Sequence, residues 1–139
     1  MSYDVTIFFN YEKSMSNLAI ELEDIFGFSF GGCEGGRVFG LDFLLQKRKE
    51  FIRDDEDMNF SKYLYQLEIT ARKAGFNIIH PVAYMVSQVI SANMKGEVML
   101  CLSSVEVLGA IFLNGNLVDD RMVEAERIVG SGCWTYRKQ

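Results

Sequence analysis

Apolar side chains alternate with polar ones, or recur every three to four residues, along most of this chain, and these spacings predict strands and helices. Residues 3–9 are a short run of aromatic and β-branched residues, which predicts a strand. Apolar residues then recur at helical spacing over 18–26, between a serine N-cap at Ser14 or Ser16 and a C-cap at Gly27. The chain therefore begins with a strand followed by a helix.

A glycine-rich segment from Gly31 to Gly36 comes next, and its freedom to adopt positive φ predicts a turn joining two strands. The second of these strands places alternate apolar side chains on one face: Phe39, Leu41, Phe43 and Leu45. Residues 63–71 alternate as in a half-buried strand, although a helix over 60–74 competes. We prefer the strand, because a long strand, an acidic turn and an alternating run form a natural antiparallel pair.

The second half of the chain alternates between helical and extended patterns. A helix is predicted from His80-Pro81 to Gly96, and a buried strand over 97–102. The capping-box spacing of residues 103–106 predicts a short helix that ends at Asn114-Gly115, or a turn there. A last helix follows Asp119 and Asp120, and the tail over 131–139 is expected to add an edge strand or stay loose.

These elements predict one domain over residues 1–139, of α+β or mixed α/β class. Its central sheet is expected to be mostly antiparallel or mixed, with two to four helices packed on it. A chain of this length buries about two-thirds of the surface that its unfolded form exposes, so it needs no disulfide or metal to form a core. The strand order does not follow from the pattern.

The charge balance argues against a nucleic-acid partner. Lys and Arg number 14 and Asp and Glu number 19, for a net charge of −5, whereas proteins that bind phosphate backbones carry the opposite sign. The longest apolar stretch, residues 98–113, is shorter than the roughly twenty residues of a spanning helix. The first residues have no basic segment followed by a signal-peptide core. We therefore predict a cytoplasmic protein with no membrane or nucleic-acid partner, and reduced thiols at Cys33, Cys101 and Cys133.

Catalytic chemistry finds little support in the sequence. The chain has one histidine, His80, which is best interpreted as a helix-start residue before proline. The glycine cluster lacks the Gly-Lys-Ser/Thr ending of a phosphate loop. The carboxylate pairs Glu21/Asp24 and Asp55/Asp57 are typical of a solvated helix face and a solvated turn. We predict no catalytic residues, no cofactor and no metal, and hence a binding protein.

Three segments, 39–44 (FGLDFL), 54–57 (DDED) and 63–69 (YLYQLEI), follow the opening strand and helix in an order that resembles small bacterial immunity proteins. Such proteins, from contact-dependent growth inhibition and related polymorphic toxin systems, bind a cognate toxin domain in the producer's cytosol and block its active site. Many of those toxins are nucleases with cationic clefts. The resemblance covers residues 37–113 and implies an inhibitor that binds a cationic toxin through an acidic surface.

The resemblance implies two kinds of partner-binding residue, because carboxylates pair with Lys and Arg of a toxin's cleft and aromatic rings anchor interfaces. The candidate residues are Asp54, Asp55, Glu56, Asp57, Glu21, Glu23, Asp24, Tyr63 and Tyr65, with Trp134 as a further aromatic candidate. The alternative function is a small α/β ligand-binding domain or enzyme whose pocket lies beside the Gly31–Gly36 turn. The polar groups nearest to that pocket are Cys33, Glu34 and Arg37.

Overall fold

The computed structural model describes residues 3–27, 35–48, 53–55 and 57–129. This part of the chain forms one seven-stranded sheet with three α-helices. The elements are β1 (Tyr3–Phe9), α1 (Met15–Phe26), β2 (Gly35–Val38), β3 (Leu41–Lys47), β4 (Tyr65–Ala71), α2 (Ile79–Met94), β5 (Glu97–Leu102), β6 (Val107–Leu113), β7 (Asn116–Asp120) and α3 (Met122–Val129). The predicted α+β class is confirmed.

The strands follow the spatial order β2-β3-β4-β1-β5-β6-β7, and every neighbouring pair is antiparallel. β1 lies at the centre, between β4 and β5, and residues 5–9 are buried in succession because both faces of the sheet are covered there. β4 and β5 run parallel on either side of β1, and α2 makes the crossover between them. β5 and β6 form a hairpin, and so do β6 and β7.

The larger core lies between the sheet and the helices. Alternate side chains of each strand enter it, and in β4 these are Tyr65, Leu67, Ile69 and Ala71. The pairing of β4 with β1 on one side and with β3 on the other confirms the strand and rules out the competing helix. α1 contributes Leu18 and Leu22 to this core.

A smaller core lies on the opposite face of the sheet. It combines side chains of β1, β5 and β6 with three residues that precede β4: Phe8, Met99, Cys101, Leu108, Met58, Phe60 and Tyr63. Phe8 and Phe60 meet edge to face, with ring centroids 5.0 Å apart. The segment after the predicted acidic turn is therefore fastened to the sheet by buried apolar side chains.

The prediction that Gly35 and Gly36 belong to a turn and Phe39 to a strand was wrong, because Phe39 and Gly40 form the turn between β2 and β3. Both turn residues have positive φ, 54° and 75°, as a two-residue turn of this hand requires. Gly35 and Gly36 belong to β2, and residues 31–34 lie outside the described part. Phe39 is 77% exposed at the turn and does not share the buried face of β3.

The apolar stretch over 98–113 forms two strands, so the predicted short helix was wrong. Ser103 and Ser104 adopt positive φ and turn the chain from β5 into β6. The Asn114-Gly115 turn is confirmed, and it leads into β7, a strand that the sequence pattern did not predict. Within the described residues, no helix has the length and apolar character needed to cross a membrane. The tail over 131–139 lies outside the described part.

Candidate partner-binding site

The acidic turn is held in shape by its own carboxylates. Asp54 accepts hydrogen bonds from the Ser61 amide at 2.8 Å and the Ser61 hydroxyl at 2.6 Å. The bond from the hydroxyl contributes most to lowering the pKa of Asp54 below its ordinary value, and the bond from the amide contributes next. Asp55 accepts from the amides of Asp57 and Met58, each at 2.9 Å. Two of the predicted carboxylates therefore close local turns, while Glu56 lies outside the described residues.

The end of this segment is fixed on the sheet by a polar contact as well as by the smaller core. The Tyr63 hydroxyl donates to Glu97 of β5, and Lys62 Nζ lies 2.7 Å from the same carboxylate. Burial opposes ionisation of Glu97, but the bonds from Lys62 and Tyr63 outweigh it and lower its pKa. Burial, together with Glu97, raises the pKa of Tyr63. The segment that carries the carboxylates of the turn is therefore held in place on the sheet.

A groove of about 300 Å³ separates this turn from the β5–β6 turn and α3. Apolar side chains line it: Met58, Val107, Leu108, Ala125 and Ile128. Around them stand four carboxylates and one guanidinium: Asp55, Asp57, Glu106, Glu124 and Arg121. We call these ten residues the acidic groove. It joins an apolar lining to an excess of negative charge, which suits a cationic side chain with an apolar stem.

Arg121 occupies one end of the acidic groove, at the junction between β7 and α3. Its Nη1 lies 3.3 Å from Asp57, and its Nε lies 3.2 Å from Asp119. Its backbone amide donates to the carbonyl of Gly109, and its carbonyl accepts from the amide of Ala125 in the first turn of α3. The backbone of Arg121 is therefore fixed, whereas its side chain is 43% exposed.

The other predicted acidic set lies elsewhere. Glu21, Glu23 and Asp24 belong to α1, which packs on the helix-covered face near β3, while the acidic turn lies over the opposite face. Beside α1 is a groove of about 730 Å³ whose charged side chains are of both signs: Glu12, Glu21, Lys13 and Lys95. The structure does not bring the two acidic sets together, and of these two grooves the acidic groove is the one in which carboxylates outnumber bases.

The two tyrosines proposed as anchors are buried, which corrects that interpretation. Tyr63 is 1% exposed in the smaller core, and Tyr65 is 5% exposed in the larger one. The Tyr65 hydroxyl donates to the carbonyl of Lys13 at 3.1 Å. Neither ring offers surface to a partner in this conformation. Trp134 lies outside the described residues.

Sequence reasoning missed a buried polar network around His80. Its Nε2 lies 2.9 Å from the hydroxyl of Tyr3, and its Nδ1 lies 2.7 Å from Glu126. Ser103 donates its amide hydrogen to the same Tyr3 hydroxyl at 3.0 Å. His80 is fully buried and Glu126 is 4% exposed, so the network ties α3 to α2 and β1. The only signal for this network in the sequence is Glu126, which lies between Met122 and Val129 on the apolar side of α3.

Of the polar residues expected beside the Gly31–Gly36 turn, Cys33 and Glu34 lie outside the described residues, and Arg37 belongs to β2. Cys101 is a buried free thiol in the smaller core, where burial raises its pKa, so it is poorly suited to act as a nucleophile. Within the described part of the chain, His, Cys, Asp and Glu side chains form no group of three that could hold a metal ion.

Comparison of the chain with protein-family models, with curated proteins and with solved structures finds no match. The resemblance to immunity proteins therefore stays a prediction.

Proposed function

We propose that this chain is an immunity-type protein of the bacterial cytoplasm that binds a cationic toxin domain, such as a nuclease, and blocks its active site. The observation that supports this proposal is the acidic groove, in which four carboxylates surround an apolar lining. A nuclease cleft carries Lys and Arg side chains that bind phosphates, and an inhibitor that offers carboxylates in their place competes with the substrate.

The segment that carries the carboxylates is already ordered, and this favours binding more than a flexible acidic tail would. The carboxylates of Asp54 and Asp55 are held by hydrogen bonds within the turn, and Met58 and Phe60 are buried beneath it. A surface that is already ordered loses less conformational entropy when a partner binds. Within the lining, Val107 is partly exposed and Ile128 is exposed, and these two side chains offer apolar area that a partner can bury.

The proposal assigns different roles to the charged and the apolar residues of the groove. The exposed carboxylates Glu106 and Glu124 are expected to steer a cationic partner and to raise the association rate. The exposed apolar residue Ile128, which is 62% accessible, is expected to slow dissociation once it is covered. Truncating such an anchor to alanine is expected to cost about 2 kcal/mol of binding.

The test begins with the partner. The protein encoded next to this chain in its host is produced, its toxicity is measured, and its binding and activity are followed as this chain is added. The proposal predicts a one-to-one complex in which the toxin's activity disappears, with an association rate that falls as salt rises. A partner that stays fully active in the complex contradicts inhibition.

A matched pair of variants locates the binding surface. Glu106→Gln with Glu124→Gln removes two charges from the acidic groove, and Glu12→Gln with Asp24→Asn removes two charges from the α1 side. The proposal predicts that the first double variant slows association at low salt about tenfold, whereas the second changes it much less, because steering depends on local charge. Equal effects from the two double variants would show that the association rate depends only on net charge, and would contradict a binding role for the groove.

A further inference from the structure

The acidic groove is already partly occupied by a cation of the chain itself. Among the described residues that line it, Arg121 is the one base, and its guanidinium approaches the rim carboxylate of Asp57. The contact is a single Nη1–Oδ1 approach of 3.3 Å, longer than the roughly 2.7–2.9 Å of a strong charge-assisted hydrogen bond. Both side chains are substantially exposed, 43% for Arg121 and 56% for Asp57.

Arg121 has a second carboxylate that can retain it. Its Nε lies 3.2 Å from Asp119 in β7, outside the residues that line the groove. Rotation of the side chain toward Asp119 releases Asp57 without leaving the guanidinium unpaired. The backbone of Arg121 need not move, because its hydrogen bonds to Gly109 and Ala125 involve main-chain atoms only.

We propose that Arg121 is an internal placeholder that competes with an arginine or lysine side chain of the protein partner for Asp57 in the acidic groove. The inference rests on the proposed function, since it assumes a cationic protein as the occupant. The incoming side chain lays its apolar stem against Val107 and Ile128, the accessible apolar residues of the groove, and takes the place of the Arg121 guanidinium at Asp57. Arg121 then keeps its contact with Asp119.

The placeholder sets a threshold for binding. A partner whose cation meets only Asp57 gains little, because it replaces an ion pair that already exists. Glu124 already pairs with Arg127 at 3.0 Å, so the larger gain goes to a partner that also reaches Glu106 and covers the exposed apolar side chains of the groove. Arg121 therefore favours partners with a basic side chain on an apolar surface over simple polycations.

The test uses a short blocked peptide in which arginine alternates with leucine, titrated into the whole protein and followed through the backbone amide signals of residues 104–108 and 121–128. The same peptide with glutamine in place of arginine is the ligand control. The proposal predicts shifts around the groove with the arginine peptide alone. Shifts confined to α1, or equal shifts with the glutamine peptide, overturn it.

The role of Arg121 is isolated by a double-mutant cycle with Asp57. Arg121→Gln is expected to tighten peptide binding about fivefold, the factor that corresponds to one exposed ion pair. Lys13→Gln makes the same change in net charge on the α1 side and is expected to change binding far less. In the Asp57→Asn background the gain from Arg121→Gln is expected to vanish. A gain that persists without Asp57, or one that Lys13→Gln reproduces, overturns the placeholder.

The two proposals fail in different ways. If the neighbouring gene product is neither bound nor inhibited while the peptide cycle behaves as predicted, the immunity function is wrong and the placeholder stands. If a toxin is bound and inhibited but the Asp57 and Arg121 variants bind the peptide like the unchanged protein, the placeholder is wrong and the inhibitor function stands.

Discussion

Replacing His80 with leucine is expected to destabilise the fold more than any surface change, because His80 is fully buried with both ring nitrogens hydrogen bonded. The substitution removes the bond at 2.7 Å to Glu126 and the bond at 2.9 Å to Tyr3. Leaving a buried hydrogen-bonding group without its partner costs about 1–3 kcal/mol. That loss is a large part of the roughly 5–15 kcal/mol that stabilises a domain of this size.

Two further substitutions test whether the loss of stability comes from the hydrogen-bonded network. Glu126→Leu in the His80→Leu background removes the carboxylate that was left without His80, so the double variant is expected to be less destabilised than the sum of the single variants. His80→Asn keeps a donor near the position of Nδ1 and is expected to cost less than leucine. Because the network anchors α3, which forms one wall of the acidic groove, His80→Leu is also expected to weaken partner binding.

The assay is urea unfolding at neutral pH followed by far-ultraviolet circular dichroism, with the slope of free energy against urea compared between variants. An unchanged slope means that the variants differ in stability and not in the extent of unfolding. A cost below about 1 kcal/mol for His80→Leu, or simple addition of the two leucine substitutions, would refute the buried network as a fastening of α3.

Three further predictions concern other parts of the fold. Because hydrogen bonds from Ser61 lower the pKa of Asp54, the stability they contribute is present above about pH 4 and is lost as pH falls through the lowered value, so Ser61→Ala should flatten the acid limb of a stability profile. Since burial raises the pKa of Cys101, its peptide should be alkylated at pH 8 only under unfolding conditions, as mapped by mass spectrometry, and labelling at the rate of a free thiol would contradict its burial. Gly40→Ala should lower the melting temperature, because φ there is 75° and an added Cβ would lie 2.9 Å from the amide nitrogen of Gly75; an unchanged melting temperature would contradict the tight turn.

The elements that the sequence predicts correctly are those decided by nearby residues. α1 begins at the N-cap Ser14, whose hydroxyl accepts from the Asn17 amide at 3.3 Å, and ends at Gly27 in the left-handed conformation. Both signals can be read within a few positions of the helix end. β1 and β5 are likewise evident as apolar runs of strand length.

The errors arise where a local signal fits two structures and a distant contact decides between them. Ser103 and Glu106 have the spacing of a capping box, yet Ser103 and Ser104 form the turn of a hairpin. Gly109 then makes a bulge opposite Leu100 and Cys101, which shifts the alternation of β6 and hides its strand pattern. Only pairing with β5, itself paired with β1, selects the strand.

The candidate site was predictable only in part, for the same reason. The acidic turn over 54–57 stands out in the sequence, but its partners in the acidic groove come from separate segments: Glu106 from the β5–β6 turn, Arg121 from the β7–α3 junction and Glu124 from α3. No spacing along the chain connects these residues. Tyr63 and Tyr65 show the reverse case, because an aromatic residue beside charged ones looks like an interface anchor until its burial is known.

A hydrogen-exchange footprint of this chain, recorded with and without its cationic partner, decides whether the acidic groove is the binding surface. We expect slower exchange over residues 57–60, 104–108 and 121–128, which border the acidic groove, and unchanged exchange over α1 at 15–26. Protection of α1 with none around the groove would contradict the proposed binding surface, since the partner would then bind at α1 and not at the acidic groove.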